Sequence, residues 1–259
     1  MGYAPAVFAS AALALLLSTG CGLPPLADGP RPFRTGESLG YALDLLGVVS
    51  AGTVELEVER PMSAGKVIPL RARARTLAEV ATLRKLTAVA LSWVDAATLR
   101  PERFRDESDE GGVHRSSDTR LRPPGPEVVI ASETGEKKGE SRFERRGEVL
   151  DAVSAIYLLR AARLAPGDRL CFDGVGRGRY WRIEATVAGG KEPVETPAGK
   201  FDTFRVDLVA RRADAEAKAH EIHLWFSDDA RRLLVAAVAD LDVGPARVTL
   251  TSVRGAREP

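Results

Sequence analysis

The side chains best suited to chemistry in this chain are few and scattered. There are 3 histidines, His114, His220 and His223. The last two sit in His220-Glu221-Ile222-His223, which has the residue types of a zinc-binding helix but not its spacing, because two imidazoles on one helical face need positions i and i+4. The surrounding alternation marks a strand, where residues three apart point to opposite faces. Ser154 has Asp151 three residues ahead of it and Arg160 behind it. A serine nucleophile needs a base, yet no G-x-S-x-G elbow surrounds it, and Asp151 serves most simply as a helix cap. Asp228 and Asp229 could offer two carboxylates to calcium, but that ion takes six to eight oxygens, and Asp in "SDDARRL" favours a turn. The glycine-rich "GVGRGR" (174–179) lacks the Lys-Ser/Thr of a phosphate-binding loop and reads as a link between strands. No catalytic set, no metal and no cofactor is expected.

The 2 cysteines are Cys21 and Cys171. An apolar run from Ala4 to Leu17 leads to small residues and then Cys21. The run is shorter than the roughly 20 residues of a membrane span and fits the apolar region of an export signal. The stretch "STGC" resembles the lipobox of bacterial lipoproteins, in which the cysteine becomes the mature N-terminus and carries diacylglycerol on its sulfur. Ser18 stands where Leu is usual, and "MGYAP" holds no Lys or Arg, so an ordinary secretory signal with a nearby cysteine remains open. The lipoprotein reading divides the chain into a signal peptide (1–20), a Pro/Gly-rich extended tether (21–35) and one β-rich domain (36–255). It makes Cys21 a lipid-attachment site, held firmly when more than one acyl chain is present. Gly22 after the cysteine implies the periplasmic side of the outer membrane. Cys171, in "DRLCFDG", is then left without a partner and is expected as a small buried hydrophobe.

Charge narrows the partners. The chain has 37 basic and 36 acidic residues among 259, a formal net charge of +1. Nucleic-acid binding calls for a clustered basic face, and an aromatic fraction of 6% offers few stacking platforms. The expected partners are the membrane, through the anchor, and an apolar small molecule or an envelope protein.

The elements that must position these residues are mostly strands. In "GTVELEVER", Val54, Leu56 and Val58 alternate with glutamates, the pattern of a strand with one wet face. "ESLGYALDLLG" alternates likewise, and the two form a hairpin. In "IPLRARART", Ile68, Leu70, Ala72 and Ala74 oppose three arginines. The polar middle, 100–146, carries turn signals at Glu110-Gly111-Gly112, Pro123 to Pro126 and Thr134-Gly135-Glu136. Its hairpin-length arms bury little, and its charge leaves disorder as an alternative. One stretch has helical spacing: "LDAVSAIYLLRAARLAPGD", with Val153, Ile156, Tyr157, Leu159 and Leu164, a cap at Asp151 and a stop at Pro166-Gly167. A helix apolar on most sides must be enclosed. The expected fold is mainly β: eleven to thirteen strands in a large antiparallel curved sheet, or half-open barrel, packed on one main helix at about 151–164. Ile156 and Tyr157 are expected to face the sheet.

Several of these segments together resemble a family of bacterial exported proteins known as domain of unknown function 3108, over residues 36 to 252. The motifs are Asp151, Ser154, Tyr157 and Arg160 in the helix, the "TPAGKF" turn (196–201), and Trp225, Ser227, Asp228 and Asp229. The resemblance implies an exported, mostly β protein and brings no reaction. Taken on their own chemistry, these motif residues read as structural. Two functions follow: a non-enzymatic envelope lipoprotein that holds an apolar ligand in the sheet's concavity or docks on an envelope partner, or a hydrolase of wall or lipid substrates.

Overall fold

A computed structural model describes residues 21–45, 49–78, 85–122, 125–241 and 244–256. The expected signal peptide, 1–20, lies outside them. Alternating apolar and polar residues build strand after strand. The first eight are β1 (Ser38–Leu45), β2 (Val49–Val58), β3 (Val67–Thr76), β4 (Leu86–Asp95), β5 (Pro101–Glu110), β6 (Val113–Arg120), β7 (Glu127–Thr134) and β8 (Lys137–Glu144). A short β9 (Val149–Asp151) runs into the helix α1 (Ala152–Ala161). Then follow β10 (Arg169–Gly176), β11 (Arg179–Val187), β12 (Glu192–Thr196), β13 (Gly199–Arg212), β14 (His220–Ser227), β15 (Leu234–Leu241) and β16 (Gly244–Arg254).

All lie in one 16-stranded sheet, more strands than the alternation alone suggests, because the polar segment 100–146 is strand throughout its two hairpins. Turns at Gly111-Gly112 and Gly135, each with positive φ, stand where the turn signals put them. The chain enters the sheet at its centre: β1 pairs with both β2 and β16. From β1 the strands step outward to β8 at one edge. The chain then crosses to β9 at the far edge and returns through β10, β11 and β13 to β16, while β12 pairs only with β13. Every neighbour pair is antiparallel except β9 with β10. The sheet is curved and stays open, as a half-open barrel rather than a closed one.

The helix fills the concave face. Tyr157, Leu158, Leu159, Ala161 and Ala162 join Leu39, Leu70, Val206 and Phe226 in one buried cluster. The expectation for Tyr157 holds, whereas Ile156 is only partly buried and packs against the rim of the cluster. The helix also ends sooner than the apolar periodicity implies. Ala162 is already extended (φ −77, ψ 151) and forms an antiparallel bridge with Leu26, and Arg163 N donates to Pro25 O at 2.9 Å. Backbone partners from the N-terminal segment thus replace the next helical turn.

That segment corrects the tether reading. Residues 22–35 lack helix because of their prolines, but they are docked rather than loose. Gly22 bridges Leu170 in parallel, Ala27 N donates to Ala161 O at 2.8 Å, Leu23 and Leu26 pack on the core, and Phe33 is buried within it. The correction extends to Cys171. It is disulfide-bonded to Cys21 across a sequence separation of 150, with a Cα–Cα distance of 5.2 Å. One sulfur cannot form a thioether to lipid and a disulfide at once, so the disulfide of this structure and the expected lipid attachment at Cys21 are alternative forms, and in the disulfide form Cys171 has a partner.

Candidate functional site

The helix carries a polar set on an otherwise apolar element. Asp151 caps it: Oδ1 accepts from Val153 N and Ser154 N, both at 2.9 Å. Ser154 Oγ accepts in return from Asp151 N at 3.0 Å, a reciprocal capping box. Ser92 Oγ on β4 donates to Asp151 Oδ2 at 2.6 Å, tying the cap to the sheet. Burial pushes the Asp151 carboxyl above its ordinary value of 3.8, against the hydrogen bonds from Ser92, Ser154 and Val153. Ser154 is 0% exposed, and its hydroxyl is held within the cap, where no substrate reaches it.

Two turns further on, Arg160 forms a buried hub. Its Nη1 donates to Glu37 Oε1 at 2.5 Å and its Nη2 to Glu37 Oε2 at 3.0 Å, with both side chains at 0% exposure. The guanidinium also donates to Arg232 O at 3.0 Å and Arg231 O at 3.1 Å. It lies 5.0 Å from the Tyr157 ring centroid and 5.5 Å from that of Phe33. Burial opposes its charge, but the hydrogen bonds and field of Glu37 outweigh that and hold its pKa above the ordinary range. An ion pair buried this deeply is tolerated only when further hydrogen bonds support it, and the two carbonyls take two of the three N–H donors that Glu37 leaves.

Those carbonyls come from the β14–β15 turn, which Asp229 shapes. Asp229 Oδ1 accepts from Ser227 Oγ at 2.9 Å and from Arg231 N at 2.9 Å, and Oδ2 pairs with Arg231 at 2.6 Å. Arg232 takes a positive φ of 44°, a left-handed conformation costly for a side-chain-bearing residue. Arg232 Nη1 bonds Ala162 O at 3.1 Å, so the strained turn is fastened to the end of the helix.

The motif residues therefore divide. Tyr157, Arg160 and Asp229 meet around one hub, with Asp151 and Ser154 a helix-length away as the cap. Asp228 lies outside it, paired with Lys191 at 2.6 Å. Trp225 faces a different network on β12–β14: its Nε1 donates to Glu192 Oε2 at 2.7 Å, and Arg205 bridges Glu192 and Asp207. His223 Nδ1 lies 2.5 Å from Asp207 Oδ1. His220 is directed instead to Asp240 O and the Trp181 ring, so the two histidines do not converge. Among the described residues no group of acidic, histidine and cysteine side chains could hold a metal. Sequence reasoning missed Glu37, Ser92 and Phe33. An arginine inside "LLRAA" signals a buried carboxylate partner, but nothing in the chain distinguishes Glu37 among 36 acidic residues.

Open clefts lie elsewhere. One of about 280 Å³ is lined by Arg105, Ser116, Asp118, Glu133 and Lys138. Another of about 240 Å³ is lined by Asp106, Arg115, Ser132, Arg177 and Arg212. The first lies on the β5–β8 arm, and the second lies where that arm meets the β10–β11 turn and Arg212 of β13. Among the described residues no helix is long and apolar enough to cross a membrane.

An open, barrel-like β-sheet wrapped on one helix, locked by a buried Arg–Glu hub, defines the class of this molecule. The chain belongs to the family described as protein of unknown function DUF3108, whose model matches residues 40–251. Among solved structures it is similar to a β-barrel-like protein of domain of unknown function DUF1849 from Brucella abortus. That likeness has a TM-score of 0.58 at 12% identity and covers 87% of this chain and all (100%) of the other. It is more distantly similar to the hypothetical protein CT021 from Chlamydia trachomatis, with a TM-score of 0.37 at 8% identity over 87% of this chain and 90% of that one. The Brucella likeness supports the fold and nothing further. No curated protein matches the sequence.

Proposed function

We propose that this is an exported protein of the bacterial cell envelope that acts by docking, without catalysis. The Cys21–Cys171 disulfide carries the reading of location, because structural disulfides persist in oxidising compartments such as the periplasm. The apolar run ahead of Cys21 fits that route. The motif residues favour a role without catalysis: Asp151 and Ser154 are buried in a helix cap, and Arg160 and the turn shaped by Asp229 brace the core. The concavity that would hold an apolar ligand is occupied by Tyr157, Leu158 and Leu159, which favours a protein partner over a lipid cargo.

A second reading concerns the anchor. The small residues before Cys21 favour lipidation and attachment to the outer membrane, and that form would leave Cys171 as a thiol. Intact mass and N-terminal sequence of protein from the host's soluble and membrane fractions decide between them. A non-acylated mature chain with both cysteines oxidised supports the disulfide form. An acylated Cys21 in the membrane fraction establishes the anchor instead. For cargo, thermal unfolding is compared with and without palmitate and phosphatidylethanolamine. An unchanged midpoint supports docking, whereas a rise of several degrees overturns it in favour of a carrier.

A further inference from the structure

Among the described residues, the edge strand β8 leaves one side of its backbone without a strand partner. It ends the sheet, bonded to β7 alone, and Lys137, Lys138, Gly139, Glu140, Arg142 and Glu144 are exposed. An uncovered edge of this length is a template for another strand. Which residues offer their backbone outward follows from the register. Arg145 N donates inward to Pro126 O at 2.9 Å, continuing the β7–β8 ladder in which Glu127 opposes Glu144 and Thr134 opposes Lys137. Antiparallel partners alternate between bonded and non-bonded pairs. The odd-numbered residues of β8 therefore bond to β7, and the N–H and C=O groups of Lys138, Glu140, Arg142 and Glu144 point away from it.

An antiparallel second copy must place even residues opposite even residues. Centring the two-fold axis on Glu140 would set Glu140 against Glu140 and Lys138 against Arg142, a like-charge arrangement. Centring it on Ser141 sets Glu140 against Arg142 and Lys138 against Glu144, on both sides of the axis. Every outward-bonding pair is then of opposite charge, and directly opposed pairs of this kind stabilise a sheet while like charges destabilise it. On the other face the same register puts Gly139 across from Phe143, whose ring is stacked on Tyr180 of its own chain at 4.9 Å, so no opposing side chain competes with that contact. Lys137 and the half-buried Arg145 oppose each other only at the strand ends. Arg142 already reaches Glu140 within its own strand at 2.7 Å, so four alternating charges would ring the axis. At the far end Glu144 O accepts from Glu144's neighbour across the curl, Arg182 Nη2, at 2.9 Å, and a carbonyl can accept a second bond.

The geometry points to a symmetric homodimer in which β8 pairs antiparallel with β8 of a second copy, centred on Ser141. The alternating charge works as a specificity device: it rejects unlike edges and matches its own reversal.

Sedimentation velocity of the full chain over a range of concentrations tests this. The expected result is a concentration-dependent dimer. Glu140→Arg and Arg142→Glu, each placing like charges in opposition on both sides of the axis, should each weaken it about tenfold or more. The double variant Glu140→Arg/Arg142→Glu should restore it. Both positions of change are exposed, and circular dichroism checks that each variant is folded. A wild type that stays monomeric at every concentration, single variants that associate as tightly as wild type, or a double variant that does not recover would each overturn the proposal.

Discussion

Arg160 and Glu37, 123 residues apart in the chain, make a two-pronged ion pair from which water is excluded on every side. Breaking such a pair leaves one charge buried alone. Glu37→Gln should therefore destabilise the fold by about 3–5 kcal/mol, read from the urea midpoint. Replacing both partners by apolar residues of similar volume, Glu37→Leu with Arg160→Met, should recover much of that loss, because no lone charge remains. A single variant as stable as wild type would remove the hub from this account.

The helix supplies a second expectation. Leu159 is buried at 1% exposure, while Ile156 sits at the edge of the cluster. Leu159→Ala should cost about 2–5 kcal/mol, and Ile156→Ala distinctly less. Equal shifts in the chemical unfolding midpoint would mean the helix is rotated from the position described.

The disulfide makes a third. A crosslink closing so long a loop restrains the unfolded chain, and removing one typically costs about 2–4 kcal/mol. Cys171→Ala should lower stability by that amount in oxidising buffer. Adding reductant should bring wild type down to the variant and leave the variant unchanged. A wild type indifferent to reductant would show that Cys21 has its other fate.

The fourth concerns pH. Burial alone would raise the Asp229 carboxyl, but the hydrogen bonds of Arg231 and Ser227 and the Arg231 charge outweigh it and hold the pKa below the ordinary 3.8. A depressed folded-state pKa contributes stability above the unfolded value and loses it as pH falls through the folded one. The stability gap between wild type and Asp229→Asn should be constant near neutrality and close below pH 3.8. A gap that widens in acid would reverse the assignment.

Much of the sheet was readable in the chain because its signals are local. Val54, Leu56 and Val58 alternate with glutamates, and the hairpins at Gly111-Gly112 and Gly135 close on glycines with positive φ. The helix was readable through Asp151 and the apolar run behind it. The features that the chain did not disclose are those made by distant partners. Nothing near Glu37 marks it as the counter-ion of Arg160, and nothing in "GLPPLADGPRPF" distinguishes a free tether from a strap whose Phe33 fills the core. Cys171 looked like an isolated hydrophobe because the lipobox resemblance had already claimed the sulfur it pairs with. The helix boundary failed for the same reason: Ala162 and Arg163 have helical neighbours but find their backbone partners in Leu26 and Pro25.

The central seam between β1 and β16 bears on how the molecule is made. Ser38 pairs with Arg254 and Leu45 with Ala246, so the first strand to be synthesised waits for the last. Contacts this far apart in sequence slow folding, because a long loop must close before they form. The eight-strand arm from β1 outward can zip locally, but until β16 arrives it keeps Leu39 and Tyr41 uncovered, and a half-finished sheet is prone to aggregation. A chain with this topology is suited to being threaded across a membrane before it folds, since no stable barrel-like body can assemble while its final strand is still in transit. Its time spent incomplete, rather than its final stability, is the interval in which it would most need a chaperone.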